Sequence, residues 1–255
     1  MRWRELSDTS EGVFALIYGP TGVGKTVSSL KSLPKTCRYY ECDPKGVDRT
    51  LKGNVDFKGI KRGHPKSYED LKADIEDNFD DIIENYKSMF IDGLSFFMNI
   101  ELLGEIQRET GDAKVFDSKD RPLVNQARTD KTGYGALAAL MNRFCGIVGQ
   151  IASGGVVVVI AALQSDDPKW NRELSAGPSL AGKEFPKNMP GFFDLIGRVE
   201  KMGRREDGTQ IFPPKVYFDS DEEESFMARW SGPALTKPYL PLDWKRILAY
   251  GKDTK

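Results

Sequence analysis

The sequence predicts an α/β protein with a mostly parallel central sheet and an antiparallel hairpin extension at its C-terminal end. Three observations carry that prediction. Strand-like runs at residues 12–18, 38–41, 88–92 and 156–163 alternate with helical spacings, which implies parallel strands joined by crossovers. The first run ends in a glycine-rich turn that opens onto a helical stretch. Beyond residue 192 the texture changes to short runs separated by hairpin signals such as Asp207-Gly208.

Taken in order, residues 12–18 read as a buried strand and a helix follows from Lys25. Residues 38–41 form a second strand, an acidic helical stretch covers 68–86, and 88–92 is a third strand. Leu137, Leu140, Met141, Phe144 and Val148 recur at helical spacing, which predicts a helix over 134–151 with one face against the sheet. The β-branched run at 156–163 is continuous, as a central strand covered on both faces requires. Residues 193–202, 211–218 and 225–230 read as antiparallel strands, the acidic run at 219–224 as a solvated turn, and 242–250 as a closing helix. The whole, residues 1–255, is expected to be one domain, with a core over about 10–205 and the hairpin and closing helix over about 206–255.

Composition narrows the class. Of 255 residues, 29% are charged and 39% hydrophobic, with a mean hydropathy of −0.46, which excludes a disordered or fibrous chain. The longest apolar run, 156–163, is far shorter than the roughly 20 residues of a membrane span, and the first residues lack a secretory signal. A cytoplasmic protein with no membrane partner is the expectation. Cys37, Cys42 and Cys145 are too scattered for a disulfide framework or a zinc site, and His64 has no second histidine. Lys plus Arg total 37 against 38 Asp plus Glu, so any nucleic-acid surface must be local.

The strongest motif is Gly19-Pro20-Thr21-Gly22-Val23-Gly24-Lys25-Thr26, which fits G-x-x-x-x-G-K-[ST] between a predicted strand and a predicted helix. Its glycines let backbone N–H groups curl around a β-phosphate, Lys25 reaches the β and γ oxygens of ATP, and the Thr26 hydroxyl ligates Mg²⁺. Such a loop needs an acid at another strand end to hold the magnesium shell, and Asp92 supplies it. Hydrolysis further needs a group that orients water. Glu41 and Asp43, at the carboxyl end of the second strand, share one face, and Asp43 lies further out toward a bound phosphate. Gln164 follows the 156–163 strand, where an amide senses the γ-phosphate.

On these residues the chain resembles the RecA-like ATPase core. The phosphate loop, the Tyr39-Tyr40-Glu41-Cys42-Asp43 strand end, the Ile91-Asp92-Gly93-Leu94-Ser95 segment and the strand ending at Gln164 carry the likeness, over about residues 10–235. The arrangement is more closely similar to compact phage-encoded P-loop ATPases of the AAA_24 type, which include RecA-like single-strand annealing proteins. The resemblance implies a catalytic carboxylate at Asp43, a shorter acid than the family's usual Glu. It also implies a magnesium aspartate at Asp92, followed by Gly93 in place of serine, and a sensor amide at Gln164. By the same resemblance the loops at 111–131 and 165–190 face single-stranded DNA at the centre of a ring or filament. The function it implies is a Mg²⁺-dependent ATPase working as an oligomer in phage-type recombination or replication. A single-strand-binding or replication protein would be a further partner. A nucleotide-gated switch acting on a protein, or a small-molecule kinase, are the alternatives.

Within 165–190, Lys169, Trp170, Arg172, Lys183 and Lys187 are the candidate DNA contacts, mixing cations with an aromatic able to stack on a base. Asp166, Asp167, Glu173 and Glu184 balance their charge. Denser cations at Lys58, Lys61, Arg62 and Lys66, and at Arg198, Lys201, Arg204 and Arg205, read as solvated surface. ATPases of this kind set a cation of one subunit against the γ-phosphate of the next; Arg229 is the candidate, with Arg204 and Arg205 as competitors.

Overall fold

The computed structural model describes residues 12–43, 48–52, 55–56, 58–109, 131–209, 211–220 and 224–250. Its strands are β1 (Val13–Gly19), β2 (Cys37–Glu41), β3 (Ile60–Gly63), β4 (Ser88–Asp92), β5 (Val157–Ser165), β6 (Gly177–Pro178), β7 (Leu195–Glu200), β8 (Lys215–Tyr217), β9 (Arg229–Trp230) and β10 (Leu240–Pro241). The sheet runs β10-β8-β7-β1-β5-β4-β2-β3, and every pair from β7 to β3 is parallel. Antiparallel pairing is confined to β8 on β7, β10 on β8, β9 on β7 and β6 on β5.

Strand composition explains the layering. On β1, Phe14, Leu16 and Tyr18 point to one face and Ala15 and Ile17 to the other; on β5, Val158, Ile160 and Ala162 oppose Val157, Val159 and Ala161. All eleven are buried, so both faces must be covered. Helices α1 (Lys25–Ser32) and α9 (Trp244–Ala249) cover the second face. Helices α3 (Tyr68–Asp77), α6 (Leu103–Glu109), α7 (Lys131–Ser153) and α8 (Glu184–Asn188) cover the first; α2 (Asp48–Leu51), α4 (Phe79–Asn85) and α5 (Leu94–Phe96) are the other α-helices among the described residues, with a π-helical segment at Phe97–Leu102 and a 3-10 turn at Met189–Gly191.

Helix ends follow their caps. Ser67 accepts from the Asp70 N–H at 3.0 Å to start α3, and Asp243 accepts from Lys245 N–H to start α9. Trp244, fully buried, donates its indole N–H to Ser29 Oγ at 3.1 Å, which docks the closing helix on the phosphate-loop helix. By length and composition alone α7 could cross a membrane. In this fold its Leu137, Met141, Phe144, Val148 and Ile151 are core residues, and Leu140 O accepts from the Tyr68 hydroxyl at 3.1 Å. The three cysteines are free and buried.

Two differences from the sequence reading have physical causes. The 193–202 segment reads as an antiparallel strand, and β7 does pair antiparallel with β8 and β9, but it also pairs parallel with β1, with Ala15 opposite Leu195 and Tyr18 opposite Arg198. Leu195, Ile196, Gly197 and Val199 are all buried, the mark of a core strand with two covered faces. The second difference is β3, which sequence patterning does not reveal because Ile60-Lys61-Arg62-Gly63 has no apolar alternation. It forms an edge strand, held by parallel pairing to β2.

Candidate functional site

Register brings the predicted residues to one edge of the sheet. Gly19 lies opposite Leu163, Ala161 opposite Asp92, and Asp92 opposite Glu41, so the phosphate loop, Gln164, Asp92, Glu41 and Asp43 gather at the carboxyl ends of β1, β5, β4 and β2. Asp92 and Glu41 share a face with Phe90 and Tyr39, the face that α1 covers.

The loop's glycines are fixed by geometry. Gly22 and Gly24 have φ of 72° and 102°, where other residues are strained, and a Cβ at Gly19 would run onto the Val199 carbonyl of β7. Gly24 caps α1 without a side-chain hydrogen bond, so no cap side chain competes for the first-turn N–H groups, which are left to serve an anion. Lys25 is 9% exposed and donates Nζ to Gly19 O at 2.6 Å and Pro20 O at 2.9 Å, which holds its ammonium across the loop. Burial pushes its pKa down to about 8, opposed by the Asp92 carboxylate.

Thr26 donates its hydroxyl to Asp92 Oδ2 at 2.6 Å. Burial pushes Asp92 up to about 6, against the Thr26 hydrogen bond and the Lys25 charge, while Asp43 and Glu41 raise it further. Among the described residues no group of three or more His, Cys, Asp or Glu could hold a metal alone. A hydroxyl and one carboxylate suit a hard cation that takes its remaining oxygens from phosphates and water, so these residues fit Mg²⁺. The Tyr39 hydroxyl is buried without a hydrogen-bond partner and feels Asp92 and Glu41, leaving a polar atom to serve the same corner.

Glu41 and Asp43 part company. The Glu41 carboxylate is fully enclosed, accepts from Arg62 and lies 3.0 Å from His64 Nδ1. Asp43 is exposed at the open end. Gly93, at φ 97°, lets the two strand ends close: its Cβ would stand 3.0 Å from Asp43 N, and Cys42 N–H donates to Asp92 O at 2.8 Å. Glycine is therefore needed where the resemblance leads one to expect serine. Arg62 and His64 are site neighbours that sequence reasoning missed, because Arg62 sits on the unrecognised β3 and His64 directly follows it.

Gln164 lines a cavity of about 370 Å³ with Pro20, Thr21, Val23, Arg198, Glu200 and Lys201. Its Oε1 is buried without a partner beside the loop, and its Nε2 donates to Asp166. Arg198, read as solvated surface, is tied to Glu200 at 2.9 Å and Glu224 at 2.6 Å and lies over the Phe226 ring. A larger cavity of about 490 Å³ opens between β3 and α3, away from the loop; its Arg38 pairs with Asp74 at 2.7 Å.

The 165–190 loop folds back on itself. β6 pairs with β5, Ser179 N–H donates to Leu163 O at 2.8 Å, and Asn99 bonds the backbone of Ser179 and Ala181. Trp170 is half-buried against the core, near enough to Gly177 that a Cβ there would stand 2.8 Å from its ring. Lys169, Arg172, Lys183 and Lys187 are exposed. Of the companion loop at 111–131, only Lys131 lies within the described residues. Arg229 pairs with Ile196, toward the amino end of β7, and donates to Pro190 O; the fold does not bring it to its own chain's phosphate loop. Arg204 and Arg205 are exposed on the turn after β7.

A parallel sheet in which β5 separates the phosphate-loop strand from the Asp92 strand, with Lys25, Thr26 and Asp92 converging on one loop, defines a P-loop nucleotide-binding domain. The chain belongs to the AAA_24 family of AAA domains, which matches residues 11–229, and that membership indicates a nucleotide-binding ATPase. No curated protein matches it.

Proposed function

We propose that this protein is a Mg²⁺-dependent ATPase with a RecA-like core that works as an oligomer on single-stranded DNA, in phage-type recombination or replication. The observation that carries the ATPase reading is the convergence of Lys25, Thr26 and Asp92 under one loop. Loop N–H groups and Lys25 bind the phosphates, and Thr26 and Asp92 hold Mg²⁺, which when bound neutralises charge developing on the phosphate oxygens. Asp43 orients water. Its exposure, against the enclosure of Glu41 by Arg62 and His64, favours it for that role.

Asp43→Asn is expected to slow ATP turnover by about a hundredfold or more with nucleotide affinity within about twofold, a split that marks a group acting in the chemical step. Glu41→Gln is expected instead to lower the melting temperature, because it weakens the anchor of β3. Normal turnover in Asp43→Asn with lost turnover in a folded Glu41→Gln would reverse the assignment.

The DNA reading is supported by four exposed cations on the loop that begins directly after Gln164, and by the family resemblance. Trp170, packed on Gly177, contributes to that loop's shape rather than offering an open ring. Single-stranded DNA added to the protein should raise ATP turnover several-fold, less so at high salt. ATPase activity indifferent to DNA would favour the switch acting on a protein partner. Arg229, or Arg204 and Arg205, would act only across a subunit boundary.

A further inference from the structure

We infer that Phe212 is the stacking platform for the nucleobase, so that the site takes a nucleoside triphosphate with its base against this side chain. The inference rests on the nucleotide-binding reading above. Among the described residues the exposed large hydrophobic side chains are Ile100, Leu163 and Phe212, and Phe212 is the most exposed at 51%. It lies against the phosphate loop: a Cβ on Gly24 would stand 2.8 Å from Phe212 Cε1.

Sheet order gives that placement a meaning. Thr26 and Asp92 lie on the β5 and β4 side of β1, and the other neighbour of β1 is β7. A triphosphate with its metal-bound end toward Asp92 carries its nucleoside toward β7, and the segment between β7 and β8 presents Phe212 there. That segment is held on both sides of the ring. Ile211 N–H donates to Gly203 O at 3.0 Å and Leu242 N–H to Pro214 O at 2.8 Å, while Pro213 and Pro214 restrict the backbone between. A ring half in water, on a pinned segment, beside a loop built for phosphates, has a free face for a base and little ordering to lose on binding.

The test separates base from phosphate. In the full-length chain with Mg²⁺, binding of ATP and of inorganic tripolyphosphate is measured calorimetrically for wild type, Phe212→Ala, Phe212→Tyr and Lys25→Ala. Phe212→Ala should weaken ATP by about tenfold, the scale of one aromatic–base stack, and leave tripolyphosphate within about twofold. Phe212→Tyr should bind both as wild type does, and Lys25→Ala should lose both. Equal loss of the two ligands in Phe212→Ala, or no loss of ATP there while Lys25→Ala loses both, overturns the stacking role alone. Wild-type ligand binding that Lys25→Ala leaves untouched overturns the nucleotide site and this inference with it.

Discussion

Lys25→Ala should lose ATP affinity by at least about a hundredfold and yet melt no lower than the wild type when no nucleotide is present. The first half follows from contact chemistry. A hydrogen bond to a charged group contributes about 1.5–3 kcal/mol, and the Lys25 ammonium is placed to serve more than one phosphate oxygen. The second half follows from burial. Lys25 titrates at about 8 in the folded protein, below its ordinary 10.5, so the charged form is disfavoured by folding. Its cost is fully present below about pH 8 and is relieved as pH rises toward 10.5, on the order of 3 kcal/mol at most. Alanine removes that cost at neutral pH; water can replace the donor at the exposed Pro20 O, and the buried Gly19 O loses its donor at about 1–3 kcal/mol, no more than the charge burial that is relieved. Calorimetry and a thermal melt on the same preparation check both halves; unaltered ATP affinity would remove the phosphate-loop assignment.

The parts of the site legible in the sequence are those whose chemistry is local. The phosphate loop is contiguous, its positive-φ glycines leave a spacing signature, and β4 ends on Asp92 because an apolar run stops at an acid. β5 could be read because a strand covered on both faces must be apolar throughout. What escaped depends on partners distant in the chain. β3 shows no periodicity because its pocket-facing side is polar, and Arg62 looked like surface because nothing local reveals that it closes over Glu41. Phe212 read as part of a strand, and its exposure beside Gly24 follows from the β7–β8 connection folding over the loop. Trp170 carried an aromatic signal that suits a base and a core equally; only the return of β6 onto β5 sets it against Gly177.

Asp92→Asn should stabilise the nucleotide-free protein while stripping ATP binding of its dependence on Mg²⁺. Folding raises the Asp92 pKa from its ordinary 3.8 to about 6, chiefly by burial, so between those values the folded state binds more protons than the unfolded one. Stability from this group therefore falls as pH rises from about 4 to about 6 and stays at its lower level above that. Asparagine carries no such charge and still accepts the Thr26 hydroxyl. The gain at pH 7 should be about 1–2 kcal/mol, less than the pKa shift alone implies, because Lys25 loses a favourable neighbour in the same change. The difference in melting temperature between variant and wild type should accordingly be largest near neutrality and shrink toward pH 4. Loss of the carboxylate also removes the charged oxygen that complements a divalent cation, so chelation should weaken ATP binding to the wild type and leave the variant's weaker binding unchanged. A variant that melts lower at pH 7, or that keeps the wild-type response to chelation, would mean that Asp92 supports the fold rather than the metal, and that its burial under Thr26 is ordinary packing.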